Sequence, residues 1–300
     1  MLSECLKSVF STIGTLEVEV FVVDNASTDG SAEMVETQFP FVTLIKNTEN
    51  KGFASANNQA ISLSKGRYIL LLNSDTVVHD IVICKCVEYM DQNLGVGVMG
   101  CRVLNTDGTL QPTCSQYPTL GNLVLLTSGL WRLPWPMFLD RYQMRRWKRT
   151  DQRDVEVVSG CFMLVRASAI EEIGMLDERF FFFGEETDWC NRFQQAGWRL
   201  RFAPVGEITH HGGGSVRKLD YKRDLMLSSA MVALHLKHGG RVAGISAYVI
   251  VLVFNLSRAL FWTAATCLLR SEHAKTRSRH FLSLLRNSAR VWPTNKTFTP

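Results

Sequence analysis

The chain has 300 residues, of which 46% are hydrophobic and 20% are charged. This balance excludes a mostly disordered chain and predicts a globular protein with one large domain, or one domain and an appendage. The formal net charge of +5 is concentrated at residues 145–149 and 270–290. No nucleic-acid-binding motif accompanies these clusters, so we expect no nucleic-acid partner.

Apolar, β-branched runs alternate with helix-sized segments through the first half of the chain. The predicted strands are residues 18–23, 41–45, 68–72 and 96–103, and the predicted helices are residues 31–38, 53–63 and 77–90. Strands that alternate with helices predict a mostly parallel sheet with crossover connections. The fold class is therefore predicted to be α/β, with a Rossmann-like sheet flanked by helices.

The second half is less regular. Residues 115–150 contain prolines and tryptophans and predict a variable segment on the acceptor side. The α/β pattern resumes at residues 155–165, a helix is predicted at residues 185–195, and a glycine-rich stretch follows at residues 212–214. We expect one domain over residues 1–240 and an apolar, basic, membrane-associating extension over residues 241–300.

The extension has no charged residue over positions 242–257, is interrupted by Arg258, and is apolar again over positions 259–269. The first segment is shorter than the about 20 residues that span a bilayer. Both flanks are basic, so charge does not indicate a topology. We favour an interfacial or re-entrant helix, with a membrane span and a buried core helix as alternatives, and we expect contact with anionic lipid headgroups.

Eight cysteines are scattered along the chain without a CxxC pair. This pattern argues against a zinc ribbon or a thioredoxin-like site, and is typical of reduced, mostly buried thiols in a cytosolic protein. The first residues also lack the basic start and apolar run of a signal peptide.

Polar residues follow two of the predicted strands, where ligands bind in open α/β sheets. They are Asp24, Asn25 and Asp29 after the first strand, and Asn73, Ser74 and Asp75 after the third. Turn formation and helix capping are the structural alternatives. Asp75 is the sharpest candidate, because a strand-end carboxylate can hold Mg²⁺ or Mn²⁺ against a substrate diphosphate.

An acidic cluster of Glu185, Glu186 and Asp188 follows four phenylalanines at residues 180–183. Desolvation and mutual repulsion are expected to raise the pKa of these carboxyls, as a general base near neutral pH requires. An acidic first helical turn is the structural alternative. Further on, His210 and His211 precede the glycine-rich stretch, which makes a histidine there a candidate metal or phosphate ligand.

A GxGxxG match at residues 95–100 lies inside a predicted strand, and no convincing helix opens at its last glycine. We therefore do not interpret it as a dinucleotide fingerprint, and an NAD-dependent oxidoreductase is set aside.

Five blocks resemble glycosyltransferase family 2, in particular its rhamnosyltransferase-like members. The blocks are VVDNASTDGS (residues 22–31), NKGFASANNQAI (50–61), LLNSDT (71–76), residues 159–192 and HHGGGS (210–215). Their order and spacing cover about residues 1–240. The resemblance implies a GT-A fold and an inverting, metal-assisted transfer from a nucleotide-diphospho-sugar, dTDP- or UDP-linked, to a saccharide or lipid-linked acceptor.

The resemblance also implies residue roles. Asp75 and His210 would bind Mg²⁺ or Mn²⁺, and Glu186 would be the catalytic base, with Glu185 or Asp188 as alternatives. The donor site would comprise Asp24, Asn25, Ser27, Asp29, Asn50, Gly52, Phe53, Asn57, Asn73 and Ser74. The chain would act at the inner face of a bacterial plasma membrane, in surface polysaccharide synthesis.

One departure concerns the start of the chain. Members of the family normally have an apolar strand before a helix that resembles residues 2–8, and no such strand is present here. We expect the donor site to lack that strand, and an inactive binding or scaffold protein derived from such an enzyme is the alternative function.

Overall fold

The computed structural model describes residues 1–129, 140, 142–212 and 221–294, which fall into two compact units. The first unit contains Met1–Tyr117, Gln143–Glu178 and Glu185–Gly212, and the second contains Pro118–Tyr142, Arg179–Gly184 and Gly213–Pro300. Most of the Trp- and Pro-rich part of the predicted variable segment and the glycines at 213 and 214 lie outside the described residues. The predicted domain boundary at residue 240 stays a prediction.

The first unit holds six helices and ten strands of the described part. The helices are α1 (Leu2–Thr12), α2 (Ser31–Gln38), α3 (Gly52–Ile61), α4 (Val82–Gln92), α6 (Ala167–Ile173) and α7 (Glu185–Gln195). The strands are β1 (Phe21–Asp24), β2 (Thr43–Lys46), β3 (Tyr68–Leu72), β4 (Thr76–Val78), β5 (Val96–Leu104), β6 (Cys114–Ser115), β7 (Arg153–Asp154), β8 (Val157–Val158), β9 (Phe162–Arg166) and β10 (Arg199–His210).

The predicted α/β class is confirmed, but the predicted mostly parallel pairing is wrong for the central sheet. Its strand order is β3-β9-β5-β10-β4, with β7 also paired to β10. Only β5 and β10 pair in parallel, and the other pairs of this sheet are antiparallel. The reason is that β9 inserts between β3 and β5 in the opposite direction. The parallel pair β1–β2 forms a separate two-stranded sheet.

The central sheet is buried on both faces, which explains its continuously apolar strands. Val98 and Val165 belong to one core cluster with Trp189 of α7, whereas Met99 belongs to another with Met90 of α4. Successive strand residues point to opposite faces, so the two helices cover opposite faces of the sheet.

The predicted helix at residues 77–90 is wrong at its beginning. Thr76, Val77 and Val78 form β4, which pairs antiparallel with the end of β10, and α4 starts only at Val82. Asp80 has a positive φ of 48° between the two elements, which ends the strand. The segment at residues 155–165, where the α/β pattern was expected to resume, contains β8 and most of β9.

The second unit contains α5 (Leu120–Ser128), α8 (Tyr221–Leu269), α9 (Glu272–Arg286) and a 3₁₀ helix at Ser288–Val291. A positive φ of 73° at Gly240 breaks α8 into two helical parts. Among the described residues, α8 is the one helix whose length and composition would allow it to cross a membrane, a test that core helices of soluble proteins also pass.

Candidate active site

The pairing of β4 with β10 brings the turn after β3 next to the end of β10. His210 lies opposite Thr76 in this ladder, and the backbone N–H of His211 donates to the Asp75 carbonyl at 2.9 Å. As a result, the Nε2 atom of His210 lies 3.1 Å from Oδ1 of Asp75. The predicted metal ligands therefore meet at one edge of the central sheet.

The other atoms around the His210 ring fix its orientation. Nδ1 lies 2.7 Å from Oε1 of Gln111, and Nε2 lies 3.2 Å from Nδ2 of Asn73. The side chain of Gln111 donates from Nε2 to Asn105 at 3.0 Å, so its oxygen faces the ring. Nδ1 is therefore the protonated nitrogen of the neutral ring, and Nε2 is the acceptor. Sequence reasoning missed Gln111, because no local motif marks it.

This arrangement places an imidazole lone pair beside a carboxylate. Two acceptors at 3.1 Å repel each other unless a proton or a cation lies with them. The pKa of Asp75 is lowered, first through the hydrogen bond that Nε2 of His210 donates when a proton occupies that position, while partial burial acts in the opposite direction.

The donor set fits a divalent cation that is shared with a substrate. Mg²⁺ and Mn²⁺ accept carboxylate oxygen, and Mn²⁺ also accepts imidazole nitrogen. No cluster of three or more His, Cys, Asp or Glu side chains that could hold a metal occurs among the described residues. Asp75 and His210 would thus leave coordination positions open for phosphate oxygens.

The carboxyl of Glu186, at the start of α7, is enclosed by protein. Its Oε2 atom is shielded from solvent and has no hydrogen-bond partner among the described residues. Burial raises the pKa of Glu186, although the backbone N–H groups of Glu186 and Gly160 act in the opposite direction. A carboxyl with a raised pKa and a free oxygen has the properties of a general base.

Gly160 and Cys161, just before β9, connect Glu186 with the turn that carries Asn73 and Asp75. Gly160 donates to Glu186, and the carbonyl of Cys161 accepts from the backbone N–H of Asn73 at 3.2 Å. Burial raises the pKa of the Cys161 thiol to about 12, and the charges of both Glu186 and Asp75 add to this shift. The charges of both carboxylates therefore act on the same thiol.

The predicted donor-site residues at 50–53 come close to Gly160 through the ring of Phe53. A Cβ atom added at Gly160 would lie 3.0 Å from Cζ of the Phe53 ring, so only glycine allows this close approach. Phe53 follows the loop in which Asn25 donates to Asn50 at 3.1 Å and to the Gly52 carbonyl at 3.1 Å. The predicted donor residues of two separate blocks are thereby joined.

Other predicted residues have local roles in the structure. Asp24 accepts from the backbone N–H of Ser27 at 3.3 Å, Asp29 accepts from Ser31 at 3.1 Å, and Asn57 donates to the Phe53 carbonyl at 2.9 Å. These are turn, cap and helix contacts. Ser74 is exposed in the turn after β3.

The two other acidic candidates are buried at α7. Asp188 accepts from Nε of Arg192 at 3.0 Å, and Arg192 also donates to the carbonyls of Ile173 and Met175 at 2.9 and 2.6 Å. Asp188 thus helps to attach α7 to the segment after α6. Glu185 is 3% exposed.

Helix α1 supports β4, the strand directly after Asp75, and sequence reasoning did not predict this support. The hydroxyl of Ser8 accepts from the backbone N–H of Val78 at 3.0 Å, and Sγ of Cys5 lies 3.4 Å from Oγ1 of Thr76. Cys5 and Ser8 stand in a CxxS spacing, which places both side chains on the same face of the helix. By contrast, the GxGxxG glycines lie in or next to β5, where added Cβ atoms at Gly97 and Gly100 would collide with Trp198 and Val158.

Comparison with solved structures defines the class of the fold. Mannosyltransferase PcManGT from Pyrobaculum calidifontis, solved with GDP-Man and Mn²⁺, is similar with a TM-score of 0.53 and 15% identity, over 96% of this chain and 81% of that chain. The fold is GT-A, a mixed α/β fold with a central sheet flanked by helices. Residues 1–174 match the family model for glycosyl transferase family 2, and the chain belongs to that family.

Curated relatives share moderate identity with the chain. An N-acetylglucosaminyl-diphospho-decaprenol L-rhamnosyltransferase of Mycobacterium tuberculosis is 28% identical over 65% of this chain and 66% of its own length. The low-salt glycan biosynthesis hexosyltransferase Agl10 of Haloferax volcanii is 25% identical over 69% of this chain and 63% of its own length. The chain thus matches slightly less than two thirds of each of these relatives.

Proposed function

We propose that the chain is an inverting, metal-dependent glycosyltransferase that moves a sugar from a nucleotide-diphospho-sugar to a saccharide or lipid-linked acceptor. The observation that carries this proposal is the contact of Asp75 with His210, and the charges of Asp75 and Glu186 acting on the same Cys161 thiol support it. Family membership and the name of the mycobacterial relative support the same activity.

The donor diphosphate would lie at the edge of the sheet where Asp75 and His210 meet. These two side chains, with Asn73 beside them, would hold Mg²⁺ or Mn²⁺, which supplies Lewis-acid stabilisation of the leaving diphosphate when bound. The loop that contains Asn25, Asn50 and Gly52 would position the nucleoside, with Phe53 next to it. The structure of PcManGT with GDP-Man and Mn²⁺ is consistent with this class of ligand.

Glu186 would act on the acceptor. Its free Oε2 removes the proton from an acceptor hydroxyl as that oxygen forms a bond to the anomeric carbon. The bond from this carbon to the diphosphate oxygen breaks on the opposite face, so the configuration inverts. Such a base contributes about 10²- to 10⁴-fold to the rate.

We further propose that the donor is dTDP- or UDP-linked, that rhamnose is the sugar, and that transfer occurs at the inner face of a bacterial plasma membrane in surface polysaccharide synthesis. The names of the relatives support a role in glycan synthesis with a lipid-linked acceptor. The apolar helix α8 supports contact with a membrane.

Two measurements test the activity. Release of nucleoside diphosphate from dTDP-rhamnose and other donors is followed for the wild type, Asp75→Ala and Glu186→Gln, with the exposed Glu171→Gln as the control. We expect both site variants to lose at least about 10²-fold in rate and the control to lose nothing. Turnover near the wild-type level in both site variants would refute the residue assignment.

Calorimetric titration with a nucleoside diphosphate and Mn²⁺ separates the enzyme from an inactive scaffold. We expect nucleotide binding that depends on Mn²⁺ in the wild type and is lost in Asp75→Ala. A wild-type protein that folds but shows no such binding would favour the scaffold.

A further inference from the structure

We infer that the outer face of α8 after Gly240 lies flat in the headgroup region of an anionic bilayer, and that the basic residues of α9, which packs behind α8, add electrostatic attraction to that surface. This inference rests on the membrane contact in the proposed function and adds the surface, the orientation and the lipid charge. It concerns the second unit alone.

The part of α8 after Gly240 has one buried face. Gly244, Ala247, Val251, Asn255 and Ala259 recur every three or four residues and are buried. Ala247, Val251 and Ala259 pack in one cluster with Leu123 of α5 and with Phe281 and Leu284 of α9. This face is therefore already covered by the protein itself.

The opposite face is apolar and exposed. Its residues recur with the same helical spacing and lie on one stripe. They are Val242, Ile245, Val249, Val253, Leu256 and Leu260, with exposed fractions from 41% to 80%. At 1.5 Å per residue the stripe is about 27 Å long. A continuous stripe of this length without a charged side chain marks an interaction surface.

Charge identifies lipid as the occupant of this stripe. Between positions 241 and 294 the chain has one acidic residue, Glu272, and a set of basic residues: Arg241, Arg258, Arg270, Lys275, Arg277, Arg279, Arg286 and Arg290. An apolar helical face next to an excess of Lys and Arg is typical of helices that lie on anionic membranes. A second copy of the chain would instead bring two basic surfaces together.

The packing of α9 against α8 argues for a flat orientation rather than a span. The two helices are antiparallel, since Trp262 meets His273 with ring centroids 5.6 Å apart, whereas Phe254 meets Phe281 at 6.0 Å. Oγ1 of Thr263 also lies 2.8 Å from Oγ of Ser278. The basic residues of α9 thus lie alongside the apolar part of α8.

If α8 crossed the bilayer, α9 would enter it as well. The exposed Arg279 and Arg286 would then lie at the depth of hydrocarbon, which is strongly unfavourable. In the flat orientation the stripe contacts the acyl boundary, and the arginines of α9, behind α8, stay outside the hydrocarbon while attracting anionic headgroups at longer range. Trp292, half exposed and in edge contact with Tyr248 at 5.1 Å, is an amphipathic side chain suited to the same depth.

Vesicle sedimentation of the full chain tests the inference. The vesicles contain phosphatidylcholine alone or with a third of phosphatidylglycerol, and the variants are Val253→Glu/Leu256→Glu and Arg279→Glu/Arg286→Glu. Leu94→Glu, at an exposed leucine of the first unit, is the control. We expect partition to anionic vesicles to fall on the order of tenfold or more in both double variants and to stay unchanged in the control. Bound wild type should be released by carbonate at high pH.

Three results would overturn the inference: equal binding to neutral and anionic vesicles, resistance to carbonate extraction, or a loss in the control as large as in the stripe variant. The wild type could instead be a dimer that does not bind vesicles and that Val253→Glu/Leu256→Glu converts to a monomer. That result would assign the stripe to contact with a second copy of the chain. Mn²⁺-dependent nucleotide binding, measured without vesicles, is expected to be unchanged in every variant. Its absence from the wild type would count against the proposed transferase and not against the lipid surface.

Discussion

The Nε2 atom of His210 lies 3.1 Å from the Oδ1 atom of Asp75, and this contact is set by the backbone pairing of β4 with the end of β10. The two residues come from distant parts of the chain, yet the ladder that joins them is part of the central sheet. The pairing thereby places two potential ligands for one cation next to each other.

Gln111 is expected to set the affinity of this site for metal. Gln111→Leu removes the acceptor of the His210 Nδ1–H, so the ring loses its fixed orientation. Loss of such a supporting contact typically weakens metal binding about 10- to 100-fold. We expect this loss in a calorimetric titration of Mn²⁺ with a nucleoside diphosphate. Gln111→Glu, which keeps an acceptor oxygen, should retain most of the affinity.

Gln152→Leu, at an exposed glutamine of the same unit, serves as the control and should bind Mn²⁺ as the wild type does. Equal affinities for Gln111→Leu and the wild type would show that Gln111 does not position the ring.

The pH dependence of the rate should report the titration of Glu186. A base acts when deprotonated, and burial raises the pKa of Glu186 above the ordinary value of 4.5. The kcat should therefore fall as the pH falls through a value higher than 4.5. Asp75 does not cause this fall in kcat at low pH. Its pKa is lowered below 3.8, so it stays ionised over the same pH range.

The measurement is kcat for the wild type at saturating donor and acceptor, from about pH 4 to about pH 9. Glu186→Gln should remove the dependence of kcat on pH at the acid side of the profile, along with most of the rate. An acid limb at or below 4.5 would mean that the raised pKa plays no part in the reaction.

Asp188 is expected to matter for stability. Its side chain is fully buried and pairs with Arg192, so Asp188→Ala leaves a largely buried guanidinium without this partner. Breaking a buried pair from one side costs about 3 kcal/mol in the free energy of unfolding. Asp154→Ala, which removes a 60% exposed carboxylate near Arg201, should cost less than about 1 kcal/mol.

Urea unfolding followed by tryptophan fluorescence measures both changes. If Asp188→Ala is as stable as the wild type but inactive, then Asp188 rather than Glu186 becomes the candidate base.

Sequence patterns predicted the elements near the site better than their pairing. The continuous apolar runs of β3, β5 and β9 are correctly placed in a buried sheet, but such runs do not encode strand direction, and β9 is antiparallel to both neighbours. Thr76–Val78 is too short for periodicity to distinguish a strand from the first turn of a helix. Its strand form depends on β10, far along the chain.

At the candidate site, too, the sequence indicates some residues and not others. Asp75, Glu186 and His210 stand out because they follow apolar runs or join an acidic or glycine-rich cluster. Gln111 has no such signal, since its importance arises only when folding brings it to 2.7 Å from His210. Asp188 and Arg192 are four residues apart on one helix, so their pairing was readable from spacing.

Gly160 is expected to be needed for the close packing of the Phe53 ring on the backbone before β9. In Gly160→Ala the new Cβ would lie 3.0 Å from Cζ of Phe53, closer than side chains normally pack, so the ring must shift by a few tenths of an ångström. Because Gly160 also donates to Glu186, a small displacement acts on two parts of the site at once. We expect kcat/KM to fall about tenfold.

Gly95→Ala provides the matched control, since an added Cβ there meets nothing within 4 Å. It should keep kcat/KM within about twofold of the wild type. If crowding of the Phe53 ring is the cause, Gly160→Ala should cost much less in a Phe53→Leu background than in the wild type, because neighbouring sites that share a contact are not additive. An equal loss in both backgrounds would instead attribute the effect to the Gly160 backbone and its hydrogen bond to Glu186.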